Sequence, residues 1–144
     1  MFGRFSLAVL AYLVPTFLLG FVWHLVLFDG YYQALQIYRE DMIIPLGFMS
    51  MLIQAVIFAW IYSKTFAGRA GSWLSKGLAY GATGAVLSWS FSTVAVAAKN
   101  VMASVPDFLL IETAFTIVQW VIVGPLTGLA FSGMATVSGK PAAA

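Results

Sequence analysis

Four long apolar runs, each closed by a short polar connection, constrain this chain more than any other feature. They cover Leu7 to Phe28, about Met42 to Tyr62, Gly77 to Ala98 and about Asp107 to Phe131. A membrane helix needs roughly 20 consecutive, mainly apolar residues, and each run meets that length. A soluble domain cannot cover so much apolar surface. Of the 144 residues, 62% are hydrophobic and 8% charged, against about 45 to 50% and about 25% in ordinary globular chains. The sequence therefore asks for lipid as its solvent. The predicted fold is all-α: one polytopic transmembrane domain over residues 1–144, with four transmembrane helices in a compact bundle.

The borders of the runs carry ordinary helix signals. Pro45 falls in the first turn of the second run and Pro106 at the start of the fourth, where a missing N–H costs nothing. Lys64 ends the second run, and Lys99-Asn100 ends the third. The first run is too long for the apolar segment of a signal peptide and no A-x-A-like site follows it, so it reads as a retained span. Pro15 and Pro125 lie inside spans and read as sources of curvature. Residues 29–41 place Tyr31, Leu35 and Tyr38 at helical spacing, which predicts a short amphipathic helix at the headgroup level. Residues 134–144 read as a disordered tail.

Orientation follows from the basic residues on alternate sides of four spans. Arg4, Lys64, Arg69, Lys76 and Lys140 share one side, and Arg39 and Lys99 the other. The side richer in Lys and Arg is expected to be cytoplasmic, which puts both termini inside. Asp29, Glu40, Asp41 and Asp107 then lie outside. Short loops and this asymmetry suit a bacterial inner membrane.

Absences narrow the chemistry. With no cysteine, disulfides, thiolate nucleophiles and zinc–thiolate or iron–sulfur sites are excluded. His24 is the only histidine, so one chain cannot build a bis-histidine haem or a three-histidine metal centre. No metal and no cofactor is expected. The seven Lys and Arg are dispersed, leaving no basic stripe for nucleic acid.

Each span carries a line of small or polar residues at helical spacing, the faces expected to turn away from lipid. The first reads Tyr12, Thr16, Gly20, His24; the second Gly47, Ser50, Gln54. The third reads Gly77, Gly81, Gly84 with Ala85, Ser88 and Ser92, and Lys99 continues its face. The fourth reads Glu112, Thr116, Gln119, followed by Gly124 and Gly128. The glycines form small-x-x-x-small packing seams that let backbones approach closely. A faint echo, with spacings of 65 and 66 residues, pairs Gln54 with Gln119 and Trp23 with Trp89.

The one plausible chemical site centres on Glu112, the acid placed inside a span. Five residues past Asp107, it should lie about 7 to 8 Å below the outer helix end. His24 lies at a similar depth in the first span. Lys99 and Asp29 are expected just above, completing a cluster that continues inward through Thr116, Gln119, Gln54 and Ser88. Ionisable groups inside spans are costly and mark functional sites by default, although such a pair can also do no more than fix helix register.

GFVWHLVLF in the first span, with its Gly-x-x-Trp before an aromatic exit, and PDFLLIETAFTIVQWVIVGPLTGLAF in the last carry a resemblance. Over most of its length the chain resembles a loose class of uncharacterised bacterial four-helix integral membrane proteins. The resemblance implies the four-helix fold and no known activity. Without a catalytic constellation, the leading expectation is a non-enzymatic structural or accessory subunit of a homo-oligomer or larger membrane complex. The competing expectation is a small transporter or proton-linked channel using Glu112, with His24 and Lys99 as modulators.

Overall fold

The computed structural model describes residues 2–39 and 41–133. The expected tail 134–144, with Lys140, and the acid Glu40 lie outside the described residues. Among the described residues the fold is all-helical, and four helices are long and apolar enough to cross a membrane: Phe2–Leu27, Ile44–Thr65, Trp73–Lys99 and Val105–Ala130. These are the first to fourth spans below. The first helix begins five residues before its apolar run, and the third begins at Trp73 rather than Gly77. Helix geometry tolerates polar residues in a first turn, so apolarity marks late starts; what fixes the third start is Ser72, whose hydroxyl accepts the Ser75 N–H at 3.1 Å, an N-cap bond. Ser104 caps the fourth span in the same way, accepting from the Asp107 N–H at 3.3 Å. Pro15 and Pro125 sit inside helices that remain unbroken.

Two spans are not α-helical throughout. A π-helical stretch covers Trp23–Leu27 in the first and another covers Trp89–Val94 in the third. The Phe28 N–H bonds the Trp23 carbonyl at 3.0 Å, five residues back. Each such turn takes in an extra residue, which rotates everything beyond it by about 100° relative to a regular helix. The two stretches start at the tryptophans that the sequence echo pairs.

The third and fourth spans touch backbone to backbone. A Cβ added to Gly77 would lie 2.7 Å from the Gly124 carbonyl oxygen, one on Gly124 would lie 2.6 Å from that of Gly77, and one on Gly81 would lie 2.8 Å from that of Trp120. Gly84 takes the Trp120 ring, and Gly128 faces the backbone of Trp73 and Gly77. The five glycines of the two seams thus serve one helix pair within the chain.

Beside this pair, all four spans contribute to an aromatic layer. Phe58 and Trp120 meet edge to face at 4.8 Å, Tyr62 and Tyr80 at 5.0 Å, and Tyr12 stacks on Phe58 at 5.5 Å. Edge-to-face and offset packing of this kind suits the ring quadrupoles. The layer lies toward the near end, the one at which Gly133 approaches Arg4 and the first span starts beside the end of the fourth. Toward the far end the second span is less enclosed: Phe48 meets Phe17 of the first span edge to face at 5.8 Å, but from Ile44 to Gln54 none of its residues is buried, and burial begins at Ala55.

The far end has its own small core. Phe28, with φ −120°, breaks the first helix, and a short helix, Asp29–Leu35, folds back across the end. Tyr32 and Leu35 are buried there with Phe108 and Ile111 of the fourth span. The Ala103 N–H bonds the Leu35 carbonyl at 3.0 Å. The helix expected at the headgroup level carried Tyr31, Leu35 and Tyr38 along one face; the structure corrects its extent. Tyr31 and Tyr38 keep 38% and 41% of their surface exposed, whereas Tyr32 keeps none. The helix ends at Leu35, where Gln36 turns left-handed at φ 58°, so the helical spacing does not extend to Tyr38.

Candidate functional site

The site begins with the π stretch of the first span, which contains His24. The His24 ring reaches back to the Gly20 carbonyl, with Nδ1 at 2.8 Å. A carbonyl only accepts, so Nδ1 carries a hydrogen and donates it. Nε2 then faces Glu112 Oε1 at 3.2 Å. That contact is attractive only with a proton on the line between the two atoms, whether it belongs formally to the imidazole or to the acid. The two side chains are 18% and 15% exposed, so the pair is largely withdrawn from water, and the geometry calls for one proton between its members.

Tyr32 completes the cluster from the short far-end helix, its hydroxyl donating to Glu112 Oε1 at 2.6 Å. Burial, and then the Glu112 carboxyl beside it, push the Tyr32 phenol well above its ordinary value near 10. It therefore stays protonated and a donor throughout the physiological range. Tyr38 stacks on Tyr32 at 5.1 Å; although part of its ring stays exposed, the loss of water around its hydroxyl, and then the Glu112 carboxyl, raise its phenol as well. Oε1 is occupied by two partners. Glu112 Oε2 has no hydrogen-bond partner among the described residues, and Glu112 lines a cavity.

That cavity, of about 600 Å³, occupies the space left beside the less enclosed half of the second span. Small-molecule sites commonly enclose roughly 300 to 1,000 Å³. Every span puts phenylalanine on its lining: Phe17 and Phe21 from the first, then Phe48, Phe91 and Phe115. Its floor is a set of paired polar groups. The Tyr12 hydroxyl donates to Gln54 Oε1 at 2.8 Å, Gln119 Nε2 donates to Thr16 Oγ1 at 3.2 Å, and Trp120 Nε1 donates to Ser88 Oγ at 2.7 Å. Thr116 turns its hydroxyl to the Glu112 carbonyl of its own helix at 2.8 Å. Below, Tyr12 and Trp120 belong to the aromatic layer that closes the near half.

The structure brings His24, Glu112, Thr116, Gln119, Gln54 and Ser88 around one cavity. It does not bring in Lys99 or Asp29. Lys99 is exposed and makes no side-chain hydrogen bond or ion pair among the described residues. The π stretch Trp89–Val94 rotates the helix before Lys99, so the face read from regular spacing no longer points toward Glu112. Asp29 starts a separate helix after the break at Phe28 and accepts from Gln33 Nε2 at 2.7 Å. The inward continuation through Gln119, Gln54 and Ser88 is the floor of a cavity and not an open path. Tyr32 was missed because nothing in the sequence separates it from Tyr31, and only the fold says which of the two turns inward.

Fold and site together define a chain of four membrane-length helices with an acid, an imidazole and a phenol gathered at one cavity. Compared with protein-family models, with curated proteins and with solved structures, the chain matches none.

Proposed function

We propose that this chain is a small proton-linked transporter of a bacterial inner membrane, with Glu112 as the proton-exchanging carboxyl and His24 as its partner. The four helices form a compact bundle across the bilayer with both termini cytoplasmic, which makes the far end external and lets the cavity receive its substrate from outside. One observation carries this reading: the His24–Glu112 contact, at 3.2 Å, lies on the wall of a cavity large enough for a small molecule. A pair that served only to fix register would be buried between helices with no space beside it. The accessory-subunit reading was motivated in part by the glycine seam, and Gly77, Gly81, Gly84, Gly124 and Gly128 are used between two helices of the same chain. The apolar rows left exposed on every span are what lipid covers in a lone protein as well as what partner subunits would cover.

Proteoliposomes holding a pH-sensitive dye and given an inward proton gradient test the assignment. With a panel of small cationic, anionic and neutral organic solutes enclosed, vesicles with wild-type protein should dissipate the gradient faster than protein-free vesicles for at least one solute, and Glu112→Gln should return the rate to that baseline. Equal rates for wild type and Glu112→Gln, with both proteins correctly inserted, would overturn it.

A further inference from the structure

The cavity also indicates what kind of molecule it takes. We infer that its ligand is a lipophilic organic cation of single positive charge, and that this cation exchanges for the proton held between His24 and Glu112. The inference rests on the proton-linked reading and adds the substrate class to it.

Three features of the wall select this chemistry. Phe21, Phe48, Phe91 and Phe115 surround the space from all four spans, and aromatic faces attract cations while also covering apolar surface. Glu112 has one oxygen held by Tyr32 and His24 and the other without a partner among the described residues, so an acceptor oxygen remains to meet a positive ligand. An anion finds no lysine or arginine at this depth among the described residues, and the His24 ring has both nitrogens engaged, by the Gly20 carbonyl and by Glu112. Arg39 reaches only the rim, where its guanidinium already bonds Asp41 at 3.1 Å.

Charge balance supplies the exchange. The charged and titratable groups around Glu112 are His24 from the first span, Tyr32 and Tyr38 from the segment after it, and Arg39 with Asp41 at the rim. The second and third spans contribute only neutral groups, Gln54, Ser88 and Ser92 among them, and the two tyrosines stay neutral. With its one proton, the His24–Glu112 pair is neutral overall. A bound monovalent cation would leave the site with a net positive charge in a poorly hydrated space, which is costly. Release of the shared proton restores neutrality: the Glu112 carboxylate, no longer joined to Nε2 by a proton, turns from it to face the cation, and His24 is left neutral with Nδ1 still donating to the Gly20 carbonyl. One cation enters as one proton leaves, and no bond other than that to the proton is made or broken.

The probe is tetraphenylphosphonium, whose charge is permanent and which carries no exchangeable proton, with neutral triphenylphosphine oxide as its counterpart. Isothermal titration into the full chain in lipid nanodiscs, repeated in buffers of different ionisation enthalpy, counts protons released on binding. We expect the cation to bind with release of about one proton per cation, the neutral compound to bind weakly or not at all, and Glu112→Gln to lose both binding and release. Equal binding of the two probes, binding without proton release, or no binding of the cation would overturn the inference. The wild-type proton count stands even if the variant fails to fold. Should the cation fail while Glu112-dependent proton flux is present in vesicles, only the substrate class falls; loss of that flux removes the transporter reading too.

Discussion

At the scale of single residues, the tyrosines separate hydrogen bonds that hold the structure from hydroxyls that do not. The Tyr32 hydroxyl donates to Glu112 at 2.6 Å. Those of Tyr62 and Tyr80 are buried in the aromatic layer without a partner among the described residues. A hydrogen bond to a charged group contributes about 1.5 to 3 kcal/mol, whereas a buried group without a partner carries only its desolvation cost. Tyr32→Phe should therefore lower the thermal unfolding temperature in detergent, and Tyr62→Phe should leave it unchanged or raise it. A loss of stability in Tyr62→Phe equal to that in Tyr32→Phe would mean that the inner hydroxyl is bonded. The sequence presents these tyrosines as equivalent aromatic residues near helix ends, because hydrogen-bond status is a property of the neighbours that folding supplies.

Among the elements, the third and fourth spans depend on having no side chains at their contact. Gly124→Ala would place a methyl group against the Gly77 carbonyl oxygen, at 2.6 Å from the built Cβ, whereas Gly3, in the first turn of the first span, has nothing within 4 Å. In an open helix, Ala is favoured over Gly by about 0.8 to 1.0 kcal/mol, so Gly3→Ala should stabilise slightly. Gly124→Ala should do the opposite, costing about 1 to 3 kcal/mol as overpacking does. Denaturation of the two variants in the same micelle gives the signs directly. Four-residue spacing was enough to identify the seams on each helix. That the two seams face each other, and leave no glycine face for a partner, required the packed pair.

For the whole molecule, the second span decides the character of the fold. Its near half packs into the aromatic layer through Ala55, Phe58, Ala59 and Tyr62, while its far half from Ile44 to Gln54 buries nothing. The first span meets both the second and the fourth, but the second and third come together only near the aromatic layer, where Phe58 and Tyr62 touch Tyr80. If the echo of Trp23 with Trp89 and Gln54 with Gln119 reflects a repeated helix pair, the second and third spans occupy the place equivalent to the fourth and first. The far-end gap is then the departure from symmetry that makes room for a ligand. Orientation is checked on the same scale. The chain has no cysteine, and Gly30 and Gly68 are exposed positions with open space for a side chain. In intact cells an impermeant maleimide should label Gly30→Cys and should reach Gly68→Cys only after permeabilisation. The reverse pattern would invert the topology and with it the side from which the cavity fills.

Read alone, the sequence determined the quantities that depend on composition and local spacing: an all-helical chain, four apolar stretches of membrane length, glycine faces on the third and fourth helices, and Glu112 and His24 at matching depth. Those follow because a helix repeats every 3.6 residues and because lipid tolerates few charges. The tertiary structure alone decided which of these meet. Two π stretches change the helical register, moving Lys99 off the face that regular spacing assigned to it. The break at Phe28 sets Asp29 apart and brings Tyr32 onto Glu112. The cavity comes from one half-helix that meets the first span but not the third, a relation among segments that no single segment encodes.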